Sequence, residues 1–288
     1  MEVDHNETFP VARLLLPKRL RAPVGAIYHV LRTAGDIAEG GGETPAARRA
    51  RMADFRAGLD AVAAGRKASV HPLLFERLAR VVAKRGLPLG PFYDLVSAFE
   101  QDIVTTRYDN RADLLDYCRR SANPVGHLLL HLIDAATPEN LADSDAICTA
   151  LRLISLWQDV AVDWEKGRLY LPLADVARFA VTEAQISRGV CGAPWRALMA
   201  HEVARARALM VRGAPLARRL PGRFGLELCS VVQGGLRVLE LIERADYDVF
   251  RHRPALGAFD WCVVAVRTVR MRLFGLVGVN TLSFEGHA

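Results

Sequence analysis

The sequence predicts an all-α chain, and three observations carry that prediction. Apolar residues recur mostly at three- and four-residue intervals, the spacing of a helix face. The period-two alternation of half-buried strands is scarce, and strand–helix–strand units are absent. Proline and glycine punctuate the chain where helices would start and stop.

These breakers place the elements in order. Pro23 opens a helix running to about Ala38, and Gly40-Gly41-Gly42 is a loop. Thr44-Pro45 begins the next helix with Pro at its first position, and Gly65 closes it. His71-Pro72 and Gly90-Pro91 open two more. Arg111 to Arg120 is short, and Asn123-Pro124 starts its successor. A long helix is expected from about Ser144 to Glu165. Thr182 with Gln185 has the form of a capping box, and Gly189 ends that short helix. Pro194 to Arg212, Phe224 to Ala245 and Ala255 to about Phe274 complete the set.

The 288 residues are 51% hydrophobic, enough to bury a large core. Only 7% are aromatic, so Leu, Val and Ala must supply most of it. No linker is long enough to divide the chain, so one domain over 1–288 is expected, with flexible tails at 1–5 and 281–288. The net charge of +6 suits an anionic ligand or an anionic membrane surface. No basic run interleaves with aromatics and no zinc-finger spacing occurs, so nucleic acid is not an expected partner. The five cysteines are widely spaced with no CxxC, which fits a reducing cytoplasm. Met1–His5 lacks a secretory leader's basic and apolar pattern, and no run of about 18 apolar residues suggests a membrane span.

Two segments concentrate carboxylates. Asp159 and Asp163 lie four apart in an apolar stretch, on one helix face. Like charges so placed repel unless a cation sits between them, and Mg²⁺ takes carboxylate oxygens together with phosphates. Solvated charges bonding nearby arginines is the equal alternative. Asp36 and Glu39 share a second face, with Arg32 one turn before Asp36. By itself that pattern reads as an i,i+4 salt bridge. Taken together, two carboxylate-bearing helices facing across a cavity would clamp a Mg²⁺–diphosphate from both sides.

The motifs themselves resemble the squalene and phytoene synthase family, from about Glu7 to Trp261. The opening Glu7-Thr8-Phe9-Pro10-Val11-Ala12, Gln101-Asp102 with Arg107-Tyr108, and Tyr117-Cys118-Arg119-Arg120-Ser121-Ala122-Asn123-Pro124 are similar to its hydroxysqualene branch. Trp157-Gln158-Asp159 through Asp163, then Gly167-Arg168-Leu169-Tyr170-Leu171-Pro172, is the most specific match; Tyr247-Asp248-Val249-Phe250-Arg251 extends it. The resemblance implies an isoprenoid-synthase-type bundle with a central apolar cavity and Mg²⁺ as cofactor. By position, Asp159 and Asp163 would be the second metal motif, and Asp36 and Glu39 what remains of the first. Thr8, Tyr28 and Arg32 would face the diphosphate. Asp102 and Tyr117 would line the cavity as catalytic residues, with Arg107 and Tyr108 near its mouth. Arg251 would also bind diphosphate.

The implied reaction is ionisation of presqualene diphosphate, rearrangement and water capture to give hydroxysqualene, in the squalene and hopanoid pathway. Squalene or phytoene synthesis from two prenyl diphosphates is one alternative. A degenerate, non-catalytic paralogue that binds prenyl diphosphates or a partner synthase is another. Companion enzymes of the pathway and peripheral contact with the inner face of the membrane are partners left open.

The sequence departs from the family pattern at the metal end. Gly35 stands where a second aspartate is usual, and Glu39 where the third is. Ser155 replaces an asparagine, Arg152 a glutamine, and His252 an arginine. Arg152 could itself serve diphosphate, since guanidinium matches phosphate oxygens. His127 and His131 have the spacing of zinc ligands but read as a core or surface pair. Arg267, Arg270 and Arg272 interleave with apolar residues, the pattern of a membrane-surface helix or of an ordinary terminal helix packed on the bundle.

Overall fold

The structure, a computed structural model, describes residues 18–251, 253–275 and 277. Thr8, His252 and both expected tails lie outside the described residues. Helices fill most of the rest: α1 (Lys18–Glu39), α2 (Pro45–Ala63), α3 (Pro72–Arg85), α4 (Gly90–Val104), α5 (Arg111–Ser121), α6 (Asn123–Leu132) and α7 (Pro138–Gln158). The second half adds α8 (Val160–Glu165), α9 (Leu173–Arg178), α10 (Glu183–Ser187), α11 (Ala193–Gly213), α12 (Leu216–Arg219), α13 (Gly222–Arg244) and α14 (Ala258–Phe274). No strand forms among the described residues, only an isolated bridge between Arg107 and Leu169.

Local chemistry explains most boundaries. Thr44 caps α2 through its hydroxyl, which accepts from the Ala47 N–H, with Pro45 at the first position. Thr182 and Gln185 form the capping box of α10. Gly86 ends α3 at φ +61°, a left-handed conformation that favours glycine.

Two boundaries differ from expectation. Pro23 lies inside α1 rather than at its start. A proline there leaves the Arg19 carbonyl without its intrahelical donor; the Arg85 guanidinium donates to it instead, at 3.3 Å. The long helix expected over 144–165 begins earlier and is divided. Thr137 caps it ahead of Pro138, so it starts a turn and a half sooner. It breaks at Asp159, whose φ −101° and ψ 10° separate α7 from α8. The Asp163 N–H still donates to the Asp159 carbonyl at 2.8 Å, so the two carboxylates remain neighbours.

The core has two clusters. One joins α1 to α4 around Phe55, Phe75 and Phe92, all essentially without solvent contact. The other fills the second half around Trp157, Trp195, Leu198 and Met210. Ile133 and Phe224 pack against both, so the apolar interior is continuous. Glycines allow the closest approaches. A Cβ on Gly235 would lie 2.6 Å from Met210 Cε, so Gly235 admits α11 against α13. The buried Arg237 guanidinium ties α13 to α14 by bonding Glu240 at 2.8 Å and Asp260 at 2.7 Å.

α7 and α11 also meet in close contact. A Cβ on Gly213 would strike the Asp143 carbonyl oxygen and lie 2.7 Å from Ile147 Cγ1. A backbone oxygen cannot swing away. Gly213→Ala is expected to lower stability, because an overpacking cost of about 1–3 kcal/mol exceeds a helix-propensity gain of at most about 1 kcal/mol. Urea unfolding of both proteins measures the difference.

Candidate active site

One cavity of about 890 Å³ opens between α1 and the α7–α8 junction. From α1 it receives Tyr28, Leu31, Arg32, Gly35, Asp36 and Glu39. These positions are three or four apart, so one helix face supplies that wall. Arg152, Ser155, Leu156, Asp159 and Asp163 form the opposite wall. Phe99 and Asp102 come from α4, and Lys166, Arg168, Tyr170 and Arg253 from loops. The two carboxylate segments therefore do face the same space.

A hydrogen-bonded hub forms the cavity's inner end. Asp102 is 9% exposed. Its Oδ2 accepts from the Tyr117 hydroxyl at 2.8 Å, and its Oδ1 from the Tyr170 hydroxyl at 3.2 Å. Arg152 Nη2 donates to the Tyr117 oxygen at 2.5 Å. The guanidinium lies 5.3 Å from the Tyr117 ring centre and 5.9 Å from that of Tyr170, within cation–π range. Burial pushes the Tyr117 and Tyr170 hydroxyls well above their ordinary range, so both stay protonated as donors. Arg168 donates to the Asp102 carbonyl at 2.8 Å, fixing the end of α4.

The metal-motif carboxylates are partly engaged. Asp36 pairs with Arg32 at 2.9 Å. Asp159 pairs with Arg253 at 2.5 Å. Both arginine-pairing alternatives read from the sequence thus occur, and they occur inside the cavity. Asp163 is different: burial first, and the charge of Asp159 second, push its carboxyl up to about 6. The cavity's charged side chains balance, with Arg32, Arg152, Lys166, Arg168 and Arg253 against Asp36, Glu39, Asp102, Asp159 and Asp163.

Several expectations need correction. Tyr117 is fully buried and does not line the cavity; it acts on it through Asp102 and Arg152. Tyr108 is likewise buried behind the hub, stacked 5.6 Å from Tyr170. Arg107 is turned away: its guanidinium donates to Glu183 at 3.1 Å and to the Gly167 carbonyl at 2.7 Å, and stacks over Trp164. The Leu169 N–H donating to the Thr106 carbonyl sets that orientation. Arg251 is exposed and paired with Asp248, while Arg253 takes the cavity position. Tyr170, Lys166, Arg168 and Phe99 join the site beyond the residues the sequence points to. Tyr170 and Arg168 stand within a quoted motif, so a signal existed; Phe99 has none beyond its place one turn before Asp102.

Four of the five cavity carboxylates, Asp36, Glu39, Asp159 and Asp163, supply hard oxygen donors outside the hub, the set that suits Mg²⁺. They do not form a ready cage. Among the described residues, the one group of three His, Cys, Asp or Glu with ligand atoms within 4.8 Å is Asp175, His201 and Glu202. That group does not line the cavity, and Arg205 bonds both its carboxylates, at 2.8 and 3.0 Å. His127 pairs with Asp145 at 2.7 Å.

A pH dependence follows from Asp163. Its ordinary value is 3.8 and its folded value about 6, so the folded chain holds a proton there that the unfolded chain has lost. Stability from this group therefore falls as pH rises from about 4 to about 6. In metal-free buffer, Asp163→Asn is expected to exceed the parent in stability at pH 7 by about 1–2 kcal/mol, with the gap closing near pH 4. Thermal unfolding at both pH values checks it.

The chain is similar to known proteins in sequence and in fold. The squalene/phytoene synthase family pattern matches residues 3–260. The hydroxysqualene synthase of Rhodopseudomonas palustris is 30% identical over 252 residues, covering 85% of this chain and 82% of that one. The 15-cis-phytoene synthase of Synechococcus elongatus is 28% identical over 264 residues, covering 86% and 83%. The crystal structure of squalene synthase HpnC from Alicyclobacillus acidocaldarius superposes with a TM-score of 0.78 at 33% identity, covering 84% of this chain and 90% of that one. A dehydrosqualene synthase structure, at 21% identity, shares the fold with a TM-score of 0.80 over 92% of this chain and 91% of that one. The fold is that of the isoprenoid synthases, and the chain belongs to the squalene/phytoene synthase family.

Proposed function

We propose that the chain is a Mg²⁺-dependent synthase that converts presqualene diphosphate and water into hydroxysqualene and diphosphate. The observation that carries this reading is the pair of carboxylate- and arginine-bearing walls facing one cavity, with Asp102 at its inner end. The relatives called hydroxysqualene synthase and squalene synthase, at 30% and 33% identity, support the branch.

Charge balance supports the metal. The cavity's five basic and five acidic side chains cancel, so an entering diphosphate brings unmatched negative charge. Asp36, Glu39, Asp159 and Asp163 would hold Mg²⁺, and bound there it supplies charge stabilisation to the departing diphosphate oxygens. Arg32, Lys166, Arg168 and Arg253 orient the diphosphate through charge-assisted hydrogen bonds, with Tyr28 beside them; Thr8 would join them. Arg152 fixes a permanent positive charge at the inner wall. As the carbon–oxygen bond breaks, its electron pair leaves with the diphosphate. Leu31, Phe99 and Leu156 keep bulk water from the cation. One water then adds, and its proton passes to Asp102 at Oδ1, the oxygen with the longer bond to tyrosine. The same reading places the chain in the cytoplasm, supplied by a companion enzyme that makes presqualene diphosphate.

A second reading has an observation of its own. Arg152 already covers the faces of Tyr117 and Tyr170, and arginines already pair Asp36 and Asp159. A chain so neutralised could hold a prenyl diphosphate without turning it over.

Incubation of the purified chain with presqualene diphosphate or farnesyl diphosphate, with and without Mg²⁺, separates the two by mass analysis of extracted lipid. Mg²⁺-dependent hydroxysqualene is expected from presqualene diphosphate. Asp159→Ala should lower kcat by about 10²-fold or more. Arg152→Gln should act mainly on KM, by about tenfold. Absence of turnover by folded protein would establish the non-catalytic reading; phytoene or squalene from farnesyl or longer diphosphates would establish the condensing one.

A further inference from the structure

Among the described residues α14 is the last helix, and one of its faces is largely exposed. Val264, Thr268 and Met271 are buried on its inner face. On the outer side Phe259 is 73% exposed, Val266 61%, Leu273 65% and Phe274 70%, with Val269 at 52%. Among the described residues of the second half these are the most exposed large apolar side chains, and they fall on one helix. Positions 259, 262, 266, 269 and 273 follow a three–four rhythm, which keeps them on one stripe. Phe259 and Phe274 bracket a stripe about 22 Å long at the helical rise.

The charges around this stripe are one-sided. Asp260, the sole acidic residue of α14, is held by Arg237. Arg267 is turned inward to Glu240 at 2.6 Å, and Arg272 donates to the carbonyls of Ala217 and Leu220. Outside remain Arg270, on the helix itself and exposed, and Arg218, beside Gly275 at its end. An apolar stripe with aromatic ends and a cationic margin matches the boundary of an anionic bilayer. A second copy of the chain fits less well, because pairing α14 with itself would bring arginine margins together.

We propose that this face of α14 seats the protein on an anionic lipid surface. No helix among the described residues is long and apolar enough to cross a membrane, so the contact is peripheral. The stripe is also close along the chain to the cavity. Arg253 lines the cavity six residues before Phe259, and the Gln158 side chain anchors the Pro254 carbonyl between them. A lipid surface here would sit beside the cavity rim, where an apolar substrate enters or a product leaves.

The test is co-sedimentation of the full chain with vesicles. One set is phosphatidylcholine alone, the other contains about one-third phosphatidylglycerol. Val266→Glu/Leu273→Glu, Arg270→Glu and a control, Leu73→Glu, whose leucine is 71% exposed on α3, are compared. Thermal unfolding verifies that each variant is folded. Binding to the anionic vesicles is expected, weakened about tenfold or more by the double substitution and about fivefold by Arg270→Glu. Leu73→Glu should bind as the parent does. No binding to either vesicle, or binding indifferent to the α14 variants, would overturn the proposal. A dimer by light scattering that the double variant splits, without vesicle binding, would overturn it too and assign the face to a second copy.

Discussion

The bonds converging on Asp102 hold this site together. One carboxylate on α4 receives hydroxyls from α5, through Tyr117, and from the loop after α8, through Tyr170. Its own carbonyl receives Arg168 from that loop, and Arg152 of α7 closes the circuit on Tyr117. Four segments distant in sequence are thereby fixed around one buried negative charge. A carboxylate with so little solvent contact is costly unless its lone pairs are satisfied. Here both oxygens are, and a guanidinium stands on the far side of the phenol. The hub fixes the inner end of the cavity, while its outer end is lined by paired, partly exposed charges.

The outer end follows a different logic. Its arginines and carboxylates neutralise one another across exposed or half-exposed pairs, Arg32 with Asp36 and Arg253 with Asp159. Such pairs are weak individually. An incoming diphosphate offers the arginines a better acceptor, and a cation offers the carboxylates a better partner, so both pairs can be exchanged at small cost. Asp163, destabilised by burial and by its neighbour, gains most from a cation. Of the departures from the family pattern, Gly35, Glu39 and Ser155 lie at this end, whereas Arg152 belongs to the hub behind it.

Much of the architecture was legible in the sequence because local chemistry sets it. Thr44-Pro45 and Thr182 with Gln185 mark helix starts whose capping partners lie within one turn. Pro23 misled, since the group that rescues the stranded Arg19 carbonyl, Arg85, is 66 residues away. The break at Asp159 was hidden because the apolar pattern runs through it without a proline or glycine. The carboxylate segments were legible by their spacing, and their placement on one cavity agrees with the pairing read from them. Arg107 and Arg251 were not, because direction depends on tertiary bonds: Arg107 is drawn toward Glu183 and Trp164, and Arg253, two residues on from Arg251, takes the place in the cavity. The hub role of Tyr170 needed the fold, since nothing in its neighbourhood points to Asp102.

The central claim is that the two walls jointly receive a diphosphate with a divalent cation. Isothermal titration of the full chain with inorganic pyrophosphate, in the presence and absence of Mg²⁺, tests it without requiring turnover. Saturable binding that depends on Mg²⁺ and is lost in a variant lacking both Asp36 and Asp159 is expected. Equal binding without Mg²⁺, or none under either condition, would contradict it.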